Sequence, residues 1–378
     1  MRPYQICTKT IMDTSDPSII FDNEGISDYY HNFHKHILPN WHTDERGERE
    51  IMAIADKIRK EGKGKPFDCI IGVSGGTDSS YTTYIAKEIL NLRPLVVHVD
   101  AGWNTQQAVG NIEKLLNGLG LDLYTEVINW EEMKDLQIAF LRSQVAGQDG
   151  PQDTAFFSAL YKFAEKYKIK YVFTGANYST ECCREPEEWG AYPGIDSLLI
   201  NDIHNKFGKK ELKTFPIVDI FTYRIYYRYF RGMKIIKPLN YFPYIKKDVE
   251  KFLEDKFGWQ KFQHKHHESR FTRFYEDYWL PRKFGYEKRR AHFSSLILTN
   301  QMTRDEALER ISLPEMDDHF HRQEFEYVAN KLDLTVQELR EIFDGPNRSF
   351  KDYKNKHFII ETGAKILRLT GFENRLFR

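Results

Sequence analysis

Residues 74–79 read Ser-Gly-Gly-Thr-Asp-Ser and follow a short apolar run, residues 68–73, of the kind that forms a buried strand. Tyr81, Ile85 and Ile89 then recur at helical spacing. A strand, a glycine turn and a helix in this order leave backbone N–H groups free at the helix start. Gly75 and Gly76 let the backbone turn sharply and approach a ligand, while Ser74, Thr77 and Ser79 add hydroxyl donors beside those N–H groups. Such a loop suits phosphate. It lacks the Gly-Lys-Ser/Thr ending of a Walker loop and the Gly-x-Gly-x-x-Gly of a dinucleotide fold, which disfavours ordinary kinase or GTPase chemistry and nicotinamide binding.

The elements that must position this loop follow along the chain. A second strand is expected at Pro94–Asp100, then a helix over about 105–119, a third strand over 121–128, helices near 131–143 and 153–168, and a fourth strand over 170–175. Strands alternating with helices predict an α/β fold with a doubly wound parallel sheet, which binds ligands beyond the carboxyl ends of its strands. Three strand ends then converge on one crevice: the phosphate loop, Asp100, and a segment containing Thr174, Gly175 and Asn177. Asp100 is either an acceptor for the nucleotide or a magnesium-bound water, or simply a helix N-terminal acid. Thr174 and Gly175 suit close backbone approach to a phosphate.

Composition bounds the class. The chain has 378 residues, 41% apolar and 15% aromatic, enough for more than one lobe. No apolar run approaches the roughly 20 residues that span a bilayer, and the first residues open no hydrophobic signal region, so a cytoplasmic protein without a membrane partner is expected. Four cysteines, Cys7, Cys69 and the adjacent Cys182 and Cys183, make a disulfide framework improbable. With 55 basic and 55 acidic residues the net charge is zero, and no nucleic-acid partner is expected.

Residues 1–60 read as an N-terminal arm ending in a helix with Ile51, Ile54, Ala55 and Ile58 on one face, and residues 61–181 as the nucleotide domain. Beyond 181 the alternation breaks. Residues 182–300 form an aromatic and basic lobe in which segments 223–231, 264–273 and 286–292 interleave cations with rings, a composition suited to sugars, bases and phosphates or to solvated amphipathic helices. The histidines at 264, 266 and 267, and His319 and His321 beside Asp317 and Asp318, have no ligand spacing that argues a metal. Residues 301–378 read as helical, with capping boxes at Thr303 to Glu306 and Thr335 to Glu338.

Residues 74–79 resemble the pyrophosphate loop of the N-type ATP pyrophosphatases, the PP-loop group with a HUP-like (adenine nucleotide alpha hydrolase-like) fold. Segments 13–17 and 21–25, 177–181 with Trp189 and Gly190, 268–273 and 288–292 extend the likeness over nearly the whole chain, to the N-acetyl sugar amidotransferases of the WbpG and PseA kind. The resemblance implies ATP cleaved to AMP and pyrophosphate with magnesium, and conversion of an acetamido group of a sugar or nucleotide sugar to acetamidino during bacterial O-antigen or flagellin glycan synthesis. It implies roles for Asp78, Lys288 and Arg289 in the chemistry, and for Thr180, Glu181, Arg270, Arg273 and His292 in holding substrate. Family members often carry two Cys-x-x-Cys pairs in the arm, where this chain has Cys7, Thr10, Ser27 and Tyr30, so no zinc is expected.

Arg2 stands where an N-terminal glutaminase needs its cysteine, and no other cysteine sits in a nucleophile elbow. The expected ammonia source is therefore a separate partner, by resemblance a HisH-like glutaminase with a HisF-like ammonia channel. Two alternatives stay open: a tRNA-thiolating enzyme of the same group, which would use Cys182 or Cys183 for sulfur, and a non-catalytic scaffold.

Overall fold

Ile70 and Ile71 are neighbours in sequence and belong to different cores. In a strand, successive side chains point to opposite faces, and both faces of this sheet are covered by helices. The computed structural model describes residues 3–192 and 196–369. Five parallel strands, β1 (Cys69–Gly72), β2 (Pro94–Asp100), β3 (Leu123–Val127), β4 (Tyr171–Phe173) and β5 (Lys234–Ile236), lie in the order β3-β2-β1-β4-β5. Ile70, Leu95 and Val97 pack on one face with Met133, Leu136, Phe140, Ala155 and Ala159 of the helices Trp130–Ser143 and Gly150–Lys166. Cys69, Ile71 and Val96 pack on the other with Ile51, Ala55 and Ile58 of the helix Glu45–Glu61, Ile112 and Leu115 of Gln106–Leu119, and Leu253 of Lys246–Phe257.

This is the doubly wound sheet that the alternation predicts. The strand order reverses at β1, with β2 on one side and β4 on the other, so the crevice at its carboxyl end is the expected ligand position. The sequence did not announce β5, which pairs Lys234 with Tyr171 and Ile236 with Phe173. Its three residues are too few for a period to show, and they lie in the stretch where alternation was expected to have ended.

The arm is held by side chains. Met12, Ile19, Phe33 and Ile37 pack against Cys182, Cys183, Trp189 and Ala291. Cys7, Thr10 and Ser27 come together, with the Cys7 sulfur accepting from the backbone N–H groups of Thr10 (3.4 Å) and Ser27 (3.2 Å). In the C-terminal region, Thr335 and Glu338 form the full reciprocal capping box, whereas Thr303 contributes only its side-chain cap to the Glu306 N–H. No described helix is long and apolar enough to cross a membrane.

Candidate active site

The phosphate loop leaves β1 and enters the helix Thr77–Tyr84. Gly76 stands at the N-cap with no side-chain cap, so the first-turn N–H groups remain open to an anion. Gly75 has a φ of +84°, and a Cβ there would lie 2.4 Å from the carbonyl oxygen of Ala108. Only glycine fits. The Gly75 carbonyl is gripped by Trp259 (3.1 Å) and Asn111 (3.3 Å), and Ser79 accepts from the Ser74 N–H at 3.3 Å. The loop is thus preset before any ligand arrives.

Around it the sheet ends assemble a charged group. Asp78 accepts a hydrogen bond from Tyr244, and its backbone lies against Gly175, where a Cβ would fall 2.9 Å from the Asp78 carbonyl carbon. Burial first, and then the nearby charge of Glu181, raises the Asp78 carboxyl above its ordinary value against the pull of Lys246 and Lys265. Burial would raise Glu181 as well, but Lys265, at 2.7 Å, outweighs it and holds Glu181 low. Lys265 stays charged because Glu181 and Asp78 overcome its own burial. Segment 265–270 crosses the loop: Thr105 N–H donates to the Glu268 carbonyl, and the Ser74 hydroxyl donates to the Glu268 carboxylate at 3.3 Å.

Lys265 and His266 also line a cavity of about 160 Å³ with Lys246, Lys288, Arg289 and His292. Lys288 is held by Glu185 (3.0 Å) and Glu276 (3.1 Å), and their charges outweigh burial to keep it protonated. Burial opposes the charge of His266, yet Glu276 brings it up to about 9. His292 is the opposite case: burial, then the charges of Lys265 and Lys246, push it well below the usual histidine value, leaving a neutral ring. His264 and His267 are paired with Glu315 and Asp277. Among the described residues no group of histidine, cysteine and carboxylates is arranged for a metal on its own.

The structure brings Ser74, Gly75, Gly76, Thr77, Asp78, Ser79, Gly175 and Glu181 together, while several other candidates have structural partners. Asn177 caps the helix Tyr178–Glu181 through the Thr180 N–H, and the Thr180 hydroxyl donates back to it at 3.1 Å. Thr180 is fully buried beside Glu181. Thr174 closes its own turn by accepting from the Ala176 N–H. Asp100 organises its loop by accepting from the Gly102 N–H (2.8 Å) and Asn104 (3.0 Å). Arg270 and Arg273, expected at the substrate, both pair with the buried Glu324, stack on Tyr327 and Phe320, and do not line this cavity; in this structure they fasten the helix Asp318–Lys331. Arg289 lines the cavity but is shared between Glu287 and Glu315. The segment 223–231 does not line this cavity. It winds as the π-helix Thr222–Phe230, buries Tyr227 against Tyr161 and leaves Tyr229 and Phe230 exposed.

Sequence reasoning passed over Tyr244, Lys246 and Glu276, which no motif marks, and named Lys265 and Glu268 only within longer segments. The site fits ATP and magnesium on its own geometry: an uncapped helix start with a glycine cradle for phosphates, and two adjoining carboxylates, Asp78 and Glu181. Magnesium takes one or two carboxylates and completes its shell with phosphate oxygens and water.

Residues 268–367 match the family described as LPS biosynthesis protein WbpG-like, C-terminal domain. A curated relative, the glutamine-hydrolyzing GMP synthase of Aeropyrum pernix, is 27% identical over 211 residues, covering 55% of this chain and 34% of its own length. The chain therefore spans about a third of that relative. Among solved structures, NMN synthetase from Francisella tularensis aligns with a TM-score of 0.38 at 15% identity, over 77% of this chain and 96% of that one. The NH3-dependent NAD synthetase from Campylobacter jejuni aligns with a TM-score of 0.32 at 15% identity, over 81% and 99%. Structural likenesses this loose carry no weight for the chemistry. The chain is thus similar to WbpG-like proteins over residues 268–367 and to a GMP synthase over 211 residues.

Proposed function

We propose that the protein is an ATP-dependent amidotransferase that converts an acetamido group of a sugar or nucleotide sugar to acetamidino, in the making of a bacterial surface glycan such as O-antigen or glycosylated flagellin. The observation that supports this reading is the preset phosphate loop with Asp78 beside Glu181 and Lys265, and Lys265 shared with a cavity that Glu276, Lys288, Arg289 and His292 of the WbpG-like segment also line. An amide carbonyl is a poor electrophile, and ATP supplies the activation. The carbonyl oxygen attacks the α phosphorus; an O–P bond forms as the bond to the β-phosphate oxygen breaks, and pyrophosphate leaves. Loss of the amide N–H proton to water gives a neutral O-adenylyl imidate. Ammonia adds to the imidate carbon, the C–O bond to the adenylyl group breaks, and AMP departs with the former carbonyl oxygen.

In this reading the loop N–H groups and Ser74 hold the pyrophosphate, and Lys265 offsets its charge. Magnesium, held by Asp78 and Glu181, would neutralise part of the phosphate charge. Lys288 and His292 line the sugar cavity, and Arg289 shapes its wall. Ammonia comes from a separate HisH-like glutaminase through a HisF-like channel protein. All four cysteines are buried; Cys182 and Cys183 face the arm, and Cys183 is pushed well up by Cys182 and by burial, which disfavours thiolation.

The test is a turnover with an acetamido sugar carrying ¹⁸O in its carbonyl, magnesium-ATP and ammonium. The label is expected in AMP and absent from pyrophosphate, with an acetamidino product by mass. No AMP release across a panel of acetamido sugars, or label retained in the sugar product, would sink the reading.

A further inference from the structure

Gly76, the second glycine of the phosphate loop, has a φ of −76°, which any residue adopts, so its backbone conformation does not call for glycine. Space does. A Cβ there would lie 2.9 Å from Oε1 of Glu268 and 3.3 Å from its carboxyl carbon. The same Oε1 accepts from the Ser74 hydroxyl at 3.3 Å. A carboxylate therefore rests in the mouth of a loop whose open N–H groups, at the uncapped start of the helix Thr77–Tyr84, suit an anion. Glu181 is ion-paired with Lys265, and Glu276 with His266 and Lys288, whereas Glu268 has no ion-pair partner among the described residues.

The backbone that carries Glu268 is pinned on both sides. The Thr105 N–H donates to the Glu268 carbonyl and the Arg270 N–H to the Trp103 carbonyl, each at 2.9 Å, and Asn104 and Ser269 form an antiparallel bridge between them. Before Glu268, His267 is buried against Asp277 at 2.9 Å. After it, Ser269 caps the helix Arg270–Phe274 and donates to Gln152 at 3.1 Å. The Glu268 side chain can rotate, but its Cα stays beside the loop. A bare polyphosphate and a carboxylate held at the same loop are like charges, and each disfavours the other. A divalent cation between them turns the same carboxylate into an attraction.

We infer that Glu268 decides which form of pyrophosphate the loop accepts: its carboxylate turns away the metal-free anion and favours the anion that arrives with a divalent cation. The inference rests on the phosphate-loop half of the function proposed above and adds Glu268 to it as a specificity residue. Glu268 makes no bond in the reaction. Its charge acts on the pyrophosphate end of the nucleotide, so ATP without its metal is kept from a loop in which the metal's charge would be missing when pyrophosphate leaves. Gly76 supplies the room that brings the carboxylate this close.

The experiment titrates the full chain with inorganic pyrophosphate in a calorimeter, once in excess chelator and once in magnesium chloride. Glu268→Gln keeps the shape and the acceptor for Ser74 and removes the charge. It is expected to tighten metal-free binding about tenfold or more, the effect of removing one like charge near contact, and to leave binding in magnesium no tighter than in the wild type. Glu268→Ala should tighten metal-free binding in the same way. A merely structural Glu268 would move both affinities together. Metal-free affinity unchanged in both folded variants, or tightened equally with magnesium, would overturn the inference and leave amidotransfer standing. Variants that bind while the wild type binds under neither condition would also overturn it, by showing a simple block. No binding by any of the three proteins, with or without magnesium, would instead remove the phosphate-loop reading and this inference with it.

Discussion

Gly75 was legible because its requirement is local: a run of Ser-Gly-Gly-Thr-Asp-Ser after an apolar strand admits few conformations, and the structure holds Gly75 at a φ of +84°. Replacing it by alanine sets a methyl group 2.4 Å from the Ala108 carbonyl oxygen in a region that L residues avoid. Gly75→Ala is expected to cost about 1–3 kcal/mol of stability by denaturant titration and to lower ATP-dependent turnover by about a hundredfold, the cost of roughly an ångström of misplacement. Turnover equal to wild type would show that the loop does not hold the phosphates. Arg270 and Arg273 were less legible at the same scale. Their spacing is equally compatible with a ligand and with a buried carboxylate, and only the fold brings Glu324 to them.

The arm and β5 show what happens at the scale of elements. Cys7, Thr10 and Ser27 converge as the resemblance to zinc-bearing arms implies, yet the residues that tie the arm down are Met12, Ile19, Phe33 and Ile37, packed on Trp189 and Ala291. A single thiol cannot complete a tetrahedral zinc site. Metal analysis is expected to find far less than one zinc per chain, and a chelator should leave the melting temperature unchanged. Stoichiometric zinc lost together with stability would overturn this. The helices Glu45–Glu61 and Gln106–Leu119 were readable because an amphipathic period of several turns repeats its signal, whereas β5 has three residues and gains its place from the edge of β4.

For the whole molecule, enclosed acids link stability to pH. Burial and the neighbouring Asp153 bring Asp149 up to about 8 from an ordinary 3.8. Between those values the folded protein keeps a proton that the unfolded chain releases, so this contribution is fully present below about pH 4 and is lost as pH rises toward about 8. Asp149→Asn should therefore lose less stability than wild type between about pH 5 and about pH 8, read from melting temperatures across a pH series. Parallel curves would show that Asp149 is ionised throughout. By itself the sequence determined the parallel α/β class, the phosphate loop and the strand ends that flank it, because periodicity and turn chemistry act between residues close in the chain. The tertiary structure alone decided that Lys265 meets Glu181, that Tyr244 reaches Asp78, and that Glu324 takes both arginines. Those pairings join residues far apart in sequence, and a charge carries no mark in the sequence of which distant partner will neutralise it.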